Sequence, residues 1–309
     1  MNRSRDRWIA FLLILPSIIL IAIFVYGFIA WTARVSLSKW DGVQPDYTWV
    51  GLDNYRLLFT DAGGVSNKRF AIDMWNTLFF TFFFLLICVV IGLLLAILLD
   101  QKVKGEGIFR TIYLFPMALS FVVTGVVWQW IFAPGTASRP RGLNALFDII
   151  GLDALKWKWY TDTTSLGPLH VALIPVIIAA SWQMIGYTMA MYLAGLRGVP
   201  EELREAARVD GATEVQVYRH IILPILSPIT LSALIVLGHI SLKIFDLIYT
   251  MTGKGPAFAT DVPGIFMFET TFQGNHYAQG AAISIVMLLM VAVVIVPYLA
   301  YSLRREVEL

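Results

Sequence analysis

The chain has 309 residues, of which 58% are hydrophobic and 14% charged, with a net charge of +2. Soluble domains average about 45–50% apolar and about 25% charged residues, so this chain has too little charge to cover a water-facing surface and reads as a membrane protein. The near-neutral balance, without any basic block, argues against a nucleic-acid partner, and the single cysteine, Cys88, allows neither an internal disulfide nor a paired-cysteine metal site.

Arg3, Arg5 and Arg7 precede an apolar run from Ile9 to about Trp31. A secretory signal has an apolar region of only about 7–15 residues and a small-residue cleavage site; this run is longer and lacks one, so it is expected to stay as a first membrane helix. Spans of about 20 apolar residues are then expected at about Thr77–Leu99, Thr111–Phe132, Leu169–Ala194, Ile225–Thr250 and Ala281–Leu303. The expectation is an all-α integral membrane protein with six transmembrane helices in a single domain, residues 1–309, with both termini on one side. Trp8, Trp31, Trp75, Tyr113, Trp128, Trp130, Tyr249, Tyr298 and Tyr301 fall near span ends, where amphipathic rings settle.

Lys and Arg set the orientation. Twelve lie on the terminal side, including Lys102, Lys104, Arg110, Arg197, Arg204, Arg208 and Arg219, against ten on the other. The second set is spread over loops about twice as long, and long loops count for less, so the termini are expected to be cytoplasmic. The loops of the other side carry turn-like clusters such as Asp61-Ala62-Gly63-Gly64 and Ala133-Pro134-Gly135 and read as ordered but irregular.

Between spans four and five lies a polar, helix-forming loop, about residues 197–224. Pro200-Glu201-Glu202-Leu203 suits a first helical turn, where proline fits and acidic residues meet the positive dipole end. Ala206 and Ala207 favour helix, Gly211 supplies a turn with positive φ, and a second short helix is expected from about Thr213 to His220 before Pro224 marks the return to the membrane. Composition alone also fits an interfacial helix that merely joins two spans.

The full pattern is more specific. Glu205-Ala206-Ala207, Asp210-Gly211 and, nine residues on, Ile221, Leu223 and Pro224 follow the spacing E-A-A-x3-G-x9-I-x-L-P. This resembles the coupling loop of the carbohydrate-type permeases of binding-protein-dependent ABC importers, the class that includes the maltose permease subunits, with a type I (MetI-like) importer fold. Asn76-Thr77, Phe109-Arg110-Thr111, Pro116, Gly142-Leu143-Asn144, Trp182, Ala194-Gly195-Leu196, Phe245-Asp246-Leu247-Ile248-Tyr249 and Thr252-Gly253-Lys254-Gly255-Pro256 are similar to that family too, except that Lys254 stands where most relatives show glycine. The likeness covers about residues 5–303.

The resemblance implies a bacterial or archaeal inner-membrane, multi-pass permease. Its implied partners are a second similar permease, two cytoplasmic ATPase subunits and an extracytoplasmic solute-binding protein, besides the lipid bilayer. In the family the loop docks into a cleft on the ATPase: Glu205 would orient it, Ala206 and Ala207 would permit close approach, and Gly211 would supply the turn. The chain has no G-x-x-x-x-G-K-[ST] phosphate cradle and no metal-ligand or catalytic pattern, so ATP and its magnesium are expected on the partner, with no cofactor on this chain and no enzyme activity of its own.

Span five carries His239, Lys243 and Asp246 at i, i+4 and i+7, with Ser232 and Thr250 extending a polar stripe. Charges within a bilayer are costly and usually face a bundle interior or a water cavity. Two readings stand at this point: a structural Lys243–Asp246 pair, or a cavity lined by Trp182, Gln183, Gly186, Tyr187, His239, Lys243 and Asp246 that holds a polar solute. Trp182 and Tyr187 also suit simple packing. The solute implied by the resemblance is a sugar, with a glycerol-phosphate-like polyol ester as the competitor. An ion-coupled secondary transporter, which would need coupling carboxylates, is a further class, weakened because Asp246 is the one acidic group placed within a span.

Overall fold

The structure is a computed structural model that describes residues 3–61, 64–101, 103–167 and 169–307. Ala62 and Gly63 of the expected turn, and Lys102, lie outside the described residues, as do the side chains of Arg3, Arg5, Arg7, Tyr301, Arg304 and Arg305.

Helices α1 (Arg3–Ile21) and α2 (Phe28–Ser36) run together through a π-helical segment, Ala22–Gly27. Then come α3 (Asp53–Phe59), α4 (Val65–Asp100) and α5 (Glu106–Leu114), which passes through a 3-10 turn, Phe115–Ala118, before α6 (Phe121–Ile131). The antiparallel hairpin β1 (Gly135–Thr136) and β2 (Arg139–Pro140), helix α7 (Gly142–Ile149) and the hairpin β3 (Ser165–Leu166) and β4 (Leu169–His170) lead to α8 (Ile174–Arg197). Two short helices, α9 (Glu201–Val209) and α10 (Glu214–Val217), a π-helical turn Tyr218–Ile222 and α11 (Leu223–Ile225) precede α12 (Ser227–Leu242) and α13 (Asp246–Met251). The chain ends with α14 (Pro263–Phe268), the π-helical Glu269–Gln273 and α15 (Tyr277–Val307).

Among the described residues, four helices are long and apolar enough to cross a membrane, and two bent helix pairs pass the same test, giving up to six. Helix α4 shows why. Its Phe80, Phe84, Cys88, Gly92 and Ala96 are buried at four-residue spacing, while Phe82, Leu86, Val90, Leu94 and Leu98 form an exposed apolar stripe. A helix apolar on every side needs a core on one face and lipid on the other.

Two expected spans are not straight. Span three bends by 100° between Glu106–Ala118 and Phe121–Ile131. Pro116 has no amide proton to continue the ladder, Leu119 and Ser120 are extended, and the Ser120 side chain caps α6 by accepting from Val123 N. Span five bends by 63° at Leu226, flanked by Pro224 and Pro228. It then breaks again: α12 stops at Leu242, and Lys243 and Phe245 leave helical geometry before α13. The helical spacing expected to align His239 with Lys243 and Asp246 therefore does not apply across the break.

Contacts divide the chain into two compact units. In the first, Met1–Lys68 with Phe266–Leu289, Asn54 Nδ2 donates to Ser36 O and Ser38 O, Ser38 bridges to Trp49, and Trp40 packs its ring against Trp31, Tyr47 and Tyr277. Ala278 N donates to Trp40 O, and His276 pairs with Asp41. Gly280 permits a close approach: a Cβ there would lie 1.8 Å from Thr271 Oγ1.

The second unit, Arg69–Ile265 with Met290–Leu309, holds both hydrophobic clusters. One gathers Phe80, Phe84, Leu173, Ile177, Leu237, Leu247 and Ile265; the other gathers Ala96, Leu99, Tyr192, Leu196, Ala207, Val217 and Ile222. Helices meet at glycines: a Cβ on Gly186 would lie 1.9 Å from Tyr113 O, and one on Gly125 would lie 2.0 Å from Thr250 Oγ1. The segment between α6 and α8 is ordered around Asn144, whose amide donates to Pro134 O and Trp157 O and accepts from Trp157 N and Trp159 Nε1.

Candidate functional site

The loop between α8 and α12 is built as expected, helix–turn–helix, and its stops are explicit. Pro200 takes the position before α9, and Glu201 and Glu202 occupy its first turn. At the other end Gly211 N donates to Arg208 O at 3.0 Å and Ala212 N to Ala207 O at 2.9 Å. This pair of bonds needs a left-handed residue between them, and Gly211 has φ +83° with nothing within 4 Å of where a Cβ would stand. Thr213 and Gln216 then form a reciprocal capping box that starts α10. The expected second helix to His220 is shorter, passing at Tyr218 into a π-helical turn. A cavity of about 330 Å³ lies beside the turn, among Asp210, Gly211, Gln216 and His220.

Arg208 pairs across to α10 and also within α9. Arg208 Nε lies 2.8 Å from Glu214, and its Nη1 lies 3.5 Å from Glu201. The hydrogen bond from Arg208 keeps the Glu214 carboxyl below the usual carboxylate range.

The two alanines of the motif separate. Ala207 is 8% exposed and belongs to the apolar cluster with Leu99, Leu196 and Val217, whereas Glu205, Ala206 and Asp210 are exposed. The resemblance implies close approach at both Ala206 and Ala207; in this chain Ala206 is exposed, and Ala207, about 100° further around the helix, is packed inside. Val209, 87% exposed, joins the outward face instead. Ile221 packs against the same cluster, while Leu223 and Pro224 are exposed.

One charge pair beside the loop escaped sequence reasoning. Arg204 Nη1 and Nη2 reach Asp100 Oδ2 at 3.1 and 3.2 Å, and Nη2 also donates to Leu196 O at 3.2 Å. Asp100 lies 104 residues earlier, so no local spacing signals the pair. The capping box Thr213-x-x-Gln216 was readable as a sequence signature.

The span residues are less unified. Gln183 is 2% exposed and its Nε2 donates to Leu119 O at 2.7 Å, so it supports the bend of span three. Gly186 faces the Tyr113 carbonyl and serves helix packing. Trp182 is exposed on α8 and meets Trp128 edge to face at 5.6 Å, and Tyr187 packs against the first apolar cluster. Ser232 donates to Pro228 O and Thr250 to Asp246 O, so neither extends a free polar stripe. Lys243 and Asp246 are both exposed, and among the described residues no ion pair joins them. The i, i+3 pairing fails because Lys243 lies in the break and Asp246 opens the next helix. His239 is half-buried with its Nδ1 unpartnered.

At the far end of α4 a buried polar network joins three segments. Arg69 Nε lies 2.6 Å from Asp261 Oδ2, and Asp73, four residues after Arg69, is buried as well. Asn76 Nδ2 donates to Phe258 O and Asp261 O, which leaves its Oδ1 to accept from His170 Nδ1 at 2.9 Å.

Residues 88–308 match the model of a family described as binding-protein-dependent transport system inner membrane component. A probable ABC transporter permease protein of Pyrococcus horikoshii is 43% identical over 306 residues, covering 99% of each chain. The xylose/arabinose import permease protein of Haloferax volcanii is 37% identical over 289 residues, 93% of this chain and 86% of that one. In fold, the chain is similar to a subunit in the crystal structure of a bacterial ABC transporter involved in the import of the acidic polysaccharide alginate, with a TM-score of 0.76 at 23% identity and 98% of each chain covered.

Proposed function

We propose that this chain, which belongs to the family of binding-protein-dependent transport system inner membrane components, carries a carbohydrate inward as one permease subunit of an ABC importer. It is the transport component and not itself an enzyme. The observation that carries the reading is the element at residues 200–224: a short helix whose inner face is buried and whose outer face, Glu205, Ala206, Val209 and Asp210, is presented to solvent. An exposed face built on so rigid a turn is a docking surface.

The loop then seats on a cytoplasmic ATPase subunit that binds ATP and magnesium. Glu205 orients it, Ala206 lets the partner approach and Gly211 fixes the turn. The termini share that side, and the network of Asn76, His170 and Asp261 faces outward. A second similar permease, a second ATPase subunit and a solute-binding protein complete the assembly. Closure of the ATPases rocks the attached spans between inward- and outward-facing states.

For the solute, a sugar is supported by the import named for the Haloferax relative. On this chain the unpartnered His239 Nδ1 and the exposed Trp182 and Lys243 are the lining groups, with a stacking ring and donors suited to hydroxyls. Lys243, free of Asp246, also suits an anionic group, which keeps a polyol phosphate as the second reading.

The test is uptake by the assembled transporter in proteoliposomes, with labelled pentoses, hexoses, disaccharides and glycerol 3-phosphate offered with the cognate binding protein. ATP-dependent accumulation of a sugar is expected. Accumulation of the phosphate ester alone overturns the sugar, and uptake driven by an ion gradient without ATPase overturns the importer.

A further inference from the structure

Helix α4 is far in sequence from the exposed loop, yet one side chain joins them. The Arg204 guanidinium bonds to Asp100, the last residue of α4, and to the carbonyl of Leu196 in the last turn of α8. Both side chains are nearly buried, at 13% and 11% exposure. Two helix C-termini converge here, each the negative end of a helix dipole, and Asp100 adds a further negative charge. A cation is the group that this corner needs. A buried pair of this kind resists separation, because either partner left alone would be an uncompensated charge.

Beneath the pair lies apolar packing, with Leu99, Leu196, Ala207 and Val217 in one cluster. Above it lies the exposed face of α9. A push on that face reaches α8 and α12 through the chain itself, and reaches α4 at this corner, where the Arg204–Asp100 pair lies beside the packing of Ala207 and Leu99. At its other end α4 is pinned again, by Arg69 to Asp261, about 45 Å away at 1.5 Å per helical residue. A continuous helix tied near both ends by charge pairs of low exposure can transmit displacement along its axis.

We propose that Arg204 and Asp100 are a positioning pair that passes the movement of the α9 element to α4, and so to the opposite end of the bundle. The inference rests on the importer reading and adds the route by which the motor's stroke reaches span two.

The experiment uses the assembled transporter and compares hydrogen exchange with ADP and with ATP plus vanadate. In the wild type, nucleotide is expected to change exchange in residues 201–222 and also, by about tenfold, in residues 93–100, a shift of about 1.4 kcal/mol in local opening. With Arg204→Gln or Asp100→Asn, residues 201–222 still respond and residues 93–100 do not. The swapped variant Asp100→Arg/Arg204→Asp restores the response. Equal responses at 93–100 in wild type and single variants overturn the proposal. So does a single variant that lowers the yield of complex while its assembled fraction responds as wild type, because the pair is then structural only. A wild-type chain whose residues 201–222 ignore nucleotide overturns the importer reading instead.

Discussion

Ala206 and Ala207 are adjacent yet differ in surroundings, Ala206 exposed to solvent and Ala207 packed into the cluster with Leu99, Leu196 and Val217. Small size matters at both, for different reasons. Ala207→Leu adds volume to a filled site and is expected to cost about 1–3 kcal/mol, seen as a lower melting temperature of the purified chain. Ala206→Leu should leave melting unchanged and reduce co-purification with the ATPase. If the two variants behave alike in both measurements, the two-faced reading of α9 is wrong.

Gly211 sits at φ +83° with open space around it, so a side chain there meets no neighbour and strains only the backbone. A β-branched residue in this conformation costs about 1–2 kcal/mol, whereas Asn tolerates it. Gly211→Val is therefore expected to disorder the turn and uncouple ATP hydrolysis from uptake, with membrane insertion intact. Gly211→Asn should retain most coupled uptake. The comparison is made in proteoliposomes, and equal uptake by both variants would refute the role of the turn.

The same loop shows how far the amino-acid sequence could be read. Its helix start, glycine stop and capping box are local signals, and each is realised within a residue or two. The spans were legible as apolar runs, but not their bends. Pro116, Pro224 and Pro228 were visible, yet a proline inside a membrane helix is tolerated as often as it breaks one, and the outcome depends on who accepts the freed groups. Gln183 answers Leu119 O in span three, and that partnership is 64 residues long. Lys243 and Asp246 leave the expected stripe because the helix breaks between them, and the packing of α13 on α6 around Gly125 that follows the break is a contact that periodicity does not reveal. Arg204 with Asp100, and Arg69 with Asp261, are likewise long-range pairs.

The buried network around Asn76 responds to pH with a sign that can be worked out. Burial lowers the His170 pKa from its ordinary value of 6.5, so the folded chain binds that proton less readily than the unfolded one. Stability from this group is present above 6.5 and is lost as pH falls through the depressed folded value. Asp261 has the opposite sign. Burial raises its carboxyl above 3.8, against the pull of Arg69, so its contribution declines as pH rises through the raised value. His170→Gln keeps a donor for Asn76 Oδ1 and removes the titration. Melting temperature followed from pH 7.5 to pH 5 should fall for the wild type and less steeply for His170→Gln. Parallel curves would show that His170 does not control the acid limb.

Gln183 and Lys243 were both expected to line a solute cavity, and their surroundings now assign them different outcomes. Gln183 is buried with its amide on Leu119 O, so Gln183→Ala leaves a carbonyl unpaired at the bend and is expected to cost about 1–3 kcal/mol of stability. Lys243 is exposed at the break in span five and makes no pair with Asp246, so Lys243→Ala should leave melting within about 0.5 kcal/mol of wild type, as surface changes do. If Lys243 meets the solute, the same variant changes the rate of uptake in proteoliposomes while ATPase assembly is preserved. Asp246→Asn serves as the control, since a Lys243–Asp246 pair formed during transport would make the two variants equivalent and their double no worse than either. Unaltered uptake by Lys243→Ala would remove Lys243 from the solute path and leave His239, with its unpartnered Nδ1, as the polar group of span five to examine next.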